Sequence, residues 1–133
     1  MGFADEVRRG HENARERIML AVQKITIDAV SEIIQRSPVD TGRFRGNWQT
    51  QIGSINYATN DGLDPSGQNA QREAEFVISG FEEGQVLYFS NSLPYARRLE
   101  YGYSLQAPSP PGIVRPAAMR SRQLSEQVFA SLR

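Results

Sequence analysis

The side chains that could support catalysis in this chain are few and scattered. His11 is the single histidine and it lies in a polar segment, with no nucleophile and orienting acid near it in the sequence. A serine triad needs a histidine held between those two groups. The chain also has no cysteine, which excludes disulfides, thiolate catalysis and cysteine metal sites. We therefore expect no enzymatic activity, no cofactor and no metal site.

Carboxylate pairs and glycines give no stronger signal for catalysis. Glu73 and Glu75, and likewise Glu82 and Glu83, stand too close in sequence to share one face of a helix. A solvated acidic surface explains them better than acid–base chemistry. The glycine-containing run 41–46 lacks the Gly-Lys-Ser/Thr sequence of a phosphate-binding loop.

One cluster mixes basic and aromatic residues. Arg43 and Arg45 alternate with Phe44, and Trp48 follows within one helical turn. Stacking rings beside cationic groups are typical of surfaces that hold single-stranded nucleic acid. The alternative function suggested by this pattern is therefore a small nucleic-acid-binding module that uses these four residues. The rim of an oligomer or an ordinary packing turn explains the same pattern.

Length and composition favour one globular domain over residues 1–133. Hydrophobic residues make up 39% of the chain, and no apolar run approaches the roughly 18 residues of a membrane span. Acids near the start, Asp5 and Glu6, are unlike a secretory signal. We expect no membrane partner.

Charge is balanced overall and uneven locally. Fifteen basic residues match fifteen acidic ones, and all the basic residues except Lys24 are arginine. Residues 61–83 carry a net charge of −5, whereas residues 115–133 carry +3. Arginine forms forked contacts at protein interfaces, so these two segments are candidates for complementary surfaces.

The strongest helical pattern ends at Ser37. Apolar residues recur every three or four positions from 18 to 33, which places them on one helix face. They are Ile18, Val22, Ile25, Ala29 and Ile33. Ser37 precedes Pro38, and a residue before proline is driven out of the helical region. Residues 1–17 have little apolar surface beyond Phe3, Val7 and Ala14, and we predict that they form a projecting helical arm.

Shorter elements follow this helix. Branched and aromatic residues predict strands over 48–56 and 85–90. A middle helix is predicted over 66–79, with Asp64 as its cap and Gly80 as a left-handed terminator. Part of it, residues 76–78, is alternatively a strand.

The remaining predictions complete the fold. Asp40 or Thr41 is expected to cap a short helical turn, and residues 94–102 to form one or two turns. Residues 107–112 are too rich in proline for a helix or a central strand, and a helix is predicted over 114–132. The predicted class is α+β, with the long N-terminal helix and the C-terminal helix packed on a small antiparallel sheet, together with a middle helix and long loops.

Three segments carry a family resemblance. They are SPVDTGRFRGNW at 37–48, YFSNSLPYARRLEYGYS at 88–104, and QAP with GIVR at 106–108 and 112–115. In this order they resemble the neck or tail-completion proteins of long-tailed bacteriophages, the head-to-tail joining family of the minor tail protein Z type. The chain departs from the family pattern at residues 108–112, PSPPG, where a shorter sequence is usual.

The resemblance implies a structural virion protein that is not an enzyme. Such a subunit assembles at the head–tail interface as a ring of identical copies and joins the tail to the head. Its partners would be other neck, tail-terminator and head-completion proteins, with transient contact to DNA in the channel. The implied location is the neck or tail of the virion, assembled in the host cytoplasm. A closed ring uses heterologous contacts between two different patches.

Residue spacing and the motif segments above suggest which residues lie at an interface. Tyr95 and Leu99 are four residues apart, as are Arg97 and Tyr101, so one pair can face the core and the other solvent. Arg97 or Arg98 is expected to meet a carboxylate, either within the subunit or across a boundary. The full candidate set is Phe3, Val7, Arg43, Arg45, Arg97, Arg98, Glu100, Tyr101 and Arg115.

Overall fold

The fold is α+β, with four α-helices and one two-stranded antiparallel sheet in the part of the chain that is described. A computed structural model describes residues 2–101 and 112–131. The elements are α1 (Phe3–Arg36), a 3₁₀ turn (Arg45–Asn47), β1 (Gln49–Ile52), α2 (Gln68–Ser79), β2 (Leu87–Ser90), α3 (Ala96–Glu100) and α4 (Val114–Ser131). Most of the predicted proline-rich loop, together with Gly102 and Leu132, lies outside the described residues.

Helix α1 runs unbroken for 34 residues, a length of roughly 50 Å at 1.5 Å per residue. It ends where the sequence predicts, because Ser37 before Pro38 adopts an extended backbone with φ −66° and ψ 127°. The Ser37 hydroxyl donates to the Ile33 carbonyl at 2.7 Å. The last turn is therefore closed by a side chain.

The sheet pairs β1 with β2, with Gln49 opposite Ser90 and Ile52 opposite Leu87. Both strands are shorter than predicted, at four residues each. Gly53 adopts φ +94°, which turns the chain out of the strand while its N–H still donates to the Val86 carbonyl.

Helix α2 begins two residues later than predicted, because Gly67 precedes it in a left-handed conformation with φ +75°. A Cβ on Gly67 would lie 2.3 Å from Cγ2 of Ile34, so this close approach to α1 requires glycine. Gly67, and not Asp64 as predicted, is the N-cap residue, and it makes no side-chain cap bond. The buried Asp64 carboxylate, three residues earlier, nevertheless accepts the Ala70 N–H in the first turn at 3.1 Å.

Two local predictions are wrong. Neither Asp40 nor Thr41 caps the 3₁₀ turn, which follows Phe44 without a side-chain cap, although the Thr41 hydroxyl accepts the N–H of Arg43 just before it at 3.3 Å. The Gly42 carbonyl instead accepts the N–H groups of Gly46 and Asp64, so backbone bonds organise this turn. Gly80 ends α2 at φ −96° rather than in the left-handed region, and residues 76–78 are helical.

Helices α2 and α4 both run antiparallel to the C-terminal half of α1, on opposite sides of it. On one side, Gln35 donates to the Ser66 carbonyl and Gln23 donates to the Phe81 carbonyl. On the other side, Arg36 donates to the Gly112 carbonyl just before α4, and Glu32, one turn earlier in α1, forms an ion pair with Arg120 at 3.1 Å. The buried core lies between these helices, the sheet and the turn, and its members are Val30, Ile33, Ile34, Phe44, Trp48, Ala70, Ala74, Ile78, Leu93, Ile113 and Ala117.

Helix α4 contributes less to this core than its sequence pattern predicts. Ala117 is its one buried residue among those described, whereas Val114, Met119 and Phe129 stay exposed. Over residues 2–101 and 112–131, no helix combines the length and the apolar character that crossing a bilayer requires.

Candidate functional site

The first two motif segments fold against each other around Trp48. Its ring stacks on Phe89 at a centroid distance of 4.8 Å and meets the edge of Phe44 at 5.7 Å. The indole N–H donates to the Ser37 hydroxyl at 2.8 Å. Phe44 also lies 6.0 Å from the ring of Tyr95. Segments about 40 residues apart in sequence therefore form one aromatic cluster.

Arg45, a candidate interface residue, holds the subunit together from within. Its guanidinium donates to three backbone carbonyls, those of Gln35, Ser37 and Pro65, at 3.1, 2.8 and 2.9 Å. Burial lowers the pKa of Arg45 and the nearby Asp64 carboxylate partly restores it. The side chain therefore ties the end of α1 to the loop that leads into α2.

The aromatic residues of the basic cluster are covered. Phe44 is 6% exposed and Trp48 is 5% exposed, so neither ring can stack on a base. Arg43 forms an ion pair with Asp61 at 3.3 Å and donates to the Asn60 carbonyl. This segment is a packing turn, in which the candidate interface residues Arg43 and Arg45 are both half-buried and both bonded within the subunit.

Three further candidates meet at the start of α4. The Glu100 carboxylate, at the end of α3, accepts the N–H groups of Ile113 and Val114 at 2.8 Å and that of Arg115 at 3.2 Å. The Arg115 side chain donates back to Glu100 at 3.1 Å and lies 4.8 Å from the centroid of Tyr101. Glu100 thus caps α4 by satisfying the free N–H groups of its first turn.

These hydrogen bonds determine the acidity of Glu100. Burial alone would raise its pKa, but the backbone N–H groups of Val114, Ile113 and Arg115, together with the Arg115 guanidinium, lower it further than burial raises it. The net effect is a pKa below the ordinary glutamate value. The carboxylate therefore stabilises the fold in its charged form.

We expect Glu100→Gln to lower the free energy of unfolding by about 1 kcal/mol at neutral pH, the usual contribution of a helix cap. Because the folded-state pKa is depressed, this contribution is present above the unfolded-state pKa of about 4.3 and is lost as pH falls through the lower folded-state value. Urea unfolding of both proteins at pH 7 and pH 3 measures the difference. An equal difference at both values would contradict the charged cap.

The outward and inward sides of α3 follow the sequence prediction. Tyr95 and Leu99 pack against the core, whereas Arg97 and Tyr101 are exposed. Neither Arg97 nor Arg98 lies within 4 Å of a carboxylate in the part of the chain that the structure describes. The expected partner for these arginines is therefore not found among the described residues of the same subunit.

The first half of α1 extends beyond the rest of the molecule. Residues 2–18 are exposed, with Phe3 at 80% and Val7 at 55%. Arg15 is held by Glu83, with its Nε 2.9 Å from the carboxylate, and the helix before that point is exposed throughout. We refer to residues 2–14 as the arm.

An open apolar groove of about 420 Å³ lies between α1, β2 and α4. No pattern in the sequence indicates this groove, because it depends on how far α4 stands from β2. Its walls are formed by Val22, Ile25, Thr26, Ala29, Val30, Ile33, Leu87, Phe89, Val114, Ala118, Ser121, Ser125 and Phe129.

No family model, curated protein or solved structure matches this chain. Within residues 2–101 and 112–131, no three histidine, aspartate or glutamate side chains are grouped in a way that could hold a metal ion. The candidate site is therefore a set of surfaces: the arm, the groove and the outer side of α3.

Proposed function

We propose that this chain is a structural subunit of a tailed-bacteriophage virion, a tail-completion or neck connector protein that joins the tail to the head. The main support for the proposal is that the three motif segments contact one another in the fold. Trp48 joins residues 37–48 to residues 88–90, and Glu100 joins α3 to the start of α4. The residues on which the resemblance rests thus have a shared structural role.

The charge distribution supports assembly into a ring. Residues 61–83, which include α2, are acidic, and α4 carries three arginines against one glutamate. Because α2 and α4 flank α1 on opposite sides, the acidic side of one copy can face the basic side of the next. Contacts of this heterologous kind close into rings. In this proposal the ring also contacts other neck, tail-terminator and head-completion proteins in the virion, after assembly in the host cytoplasm.

Interrupting the gene in a phage that carries it tests the proposal. The expected result is DNA-filled heads and complete free tails side by side in electron micrographs, with joining restored by the intact gene in trans. Normal particle yield would exclude a role in joining. For the purified protein, size-exclusion chromatography with light scattering measures assembly, and a salt-dependent shift with DNA would support the nucleic-acid alternative instead.

We expect the double reversal Arg97→Glu/Arg98→Glu to abolish particle assembly while leaving the thermal transition unchanged. Both side chains are exposed on α3 and neither has a carboxylate partner among the described residues, so folding does not depend on them. The matched control is Arg17→Glu/Lys24→Glu, which makes the same charge change at two exposed positions of α1 outside residues 2–14 and outside the acidic segment 61–83. Normal assembly with the α3 variant would remove this surface from the interface.

A further inference from the structure

An apolar row runs along the arm and on to Ile18, and all of its members are exposed. Its positions are separated by four, three, four and four residues, so they share one face of α1. They are Phe3, Val7, Gly10, Ala14 and Ile18. The same face continues into Val22, Ile25 and Ala29, which line the groove. One apolar face of α1 is therefore lined by β2 and α4 over its second half and bare over its first half.

The α4 wall of the groove repeats the spacing of the arm. Its residues are separated by the same four, three, four and four positions, and they are Val114, Ala118, Ser121, Ser125 and Phe129. Each row spans about 22 Å along its helix. In both rows larger side chains stand at the ends and small ones at the centre, where Gly10 and Ser121 allow two helices to approach closely.

The arm cannot reach the groove of its own subunit. Both belong to the same continuous helix, and the arm leads away from the groove along the axis of α1. An arm that lies in the groove must therefore come from another molecule. Net charge favours the pairing, because residues 3–14 carry −1 from three acids and two arginines, whereas α4 carries +2.

We propose that the arm of one copy lies in the groove of the next copy and supplies the contact between neighbouring subunits. This inference rests on the proposed function in that it identifies the surfaces through which the ring assembles. Arm and groove are different surfaces, so each subunit gives one contact and receives one. The row of the arm then lies between α4 and β2 of its neighbour, and the exposed Phe3 and Phe129 both become covered.

Disulfide cross-linking of the full chain tests this arrangement, because the protein contains no cysteine. Gly10 and Ser121 are the centres of the two rows, so they meet whichever direction the arm takes. Mixing a Gly10→Cys chain with a Ser121→Cys chain is expected to give a cross-linked pair under mild oxidation. The control is Glu12→Cys, which projects from the opposite face of the arm and should react at least about tenfold less with Ser121→Cys. Equal yields, or no cross-link at the highest soluble concentration, would overturn the proposal.

A complementation experiment provides a second measurement. Phe3→Asp/Val7→Asp alters only the arm, and Ala118→Arg fills only the groove, and all three positions are exposed. Each variant should keep its thermal transition and associate at least about 100-fold more weakly. An equimolar mixture should form a one-to-one heterodimer, since one intact arm meets one intact groove. A mixture that stays monomeric, or variants that assemble normally, would contradict the inference.

The two proposals can fail separately. A specific cross-link together with normal joining in the absence of the gene would leave the arm-and-groove contact standing and remove the connector function. Loss of joining without the gene, together with a negative cross-link, would support the connector function and remove the arm-and-groove contact.

Discussion

Trp48→Ala is expected to lower the free energy of unfolding by about 3–5 kcal/mol, as for other large aromatic residues removed from a core. The substitution removes the stack on Phe89 and the edge contact with Phe44. It also removes the hydrogen bond to Ser37, at the point where α1 ends. In a domain of this size the change corresponds to a fall in melting temperature of about 10 °C or more.

Ser37→Ala is the control that keeps the indole and removes both hydrogen bonds of the Ser37 hydroxyl, the one accepted from Trp48 and the one donated to the Ile33 carbonyl. It keeps the indole in place but leaves its buried N–H without an acceptor, which costs about 1–3 kcal/mol. Thermal unfolding followed by circular dichroism measures both variants. A Trp48→Ala protein with the same melting temperature as the native one would show that the aromatic cluster does not stabilise the fold.

Deleting residues 2–14 is expected to stop tails from joining heads and to leave the subunit's thermal transition nearly unchanged. The deletion spares Arg15 and its ion pair with Glu83, and it removes residues that are exposed throughout. The fold therefore loses little buried surface, whereas the assembly loses the arm. Calorimetry of the purified chain and electron microscopy of complemented lysates measure the two effects.

The control for this deletion keeps the arm and changes its other face, with Glu12→Ala. Particles should form normally with that variant. Normal particle yield from the chain without residues 2–14 would mean that the arm has no joining role, and the contact would have to be sought around Arg43 and the outer side of α3.

The elements that sequence predicts well are those fixed by local chemistry. The end of α1 follows from Ser37 before Pro38, because it depends on two adjacent residues. The α+β class follows from helical and alternating patterns in separate segments. The alternation of exposed and packed side chains on α3 was likewise readable from spacings of four residues.

Contacts distant in sequence could not be predicted in this way. Glu100 caps a helix that starts fourteen residues later, and no local pattern links the two. Arg45 is predicted to lie at an interface. Its side chain instead turns toward the carbonyls of Gln35 and Pro65, which only the folded chain brings together. The start of α2 shifted because Gly67 must accommodate Ile34, a steric requirement that belongs to packing.

The order of α1 and α4 along the chain has a consequence during translation. Val114, which begins α4, follows Arg36, which ends α1, by 78 residues. At synthesis rates of about 5–20 residues per second, the ribosome needs roughly 4–16 s to make the intervening chain. During that interval the row from Val22 to Ala29 has no helix beside it, so nascent chains on one polysome present bare apolar stretches to one another. Expression at lower temperature or with a chaperone that binds extended apolar segments should raise the soluble yield of this protein.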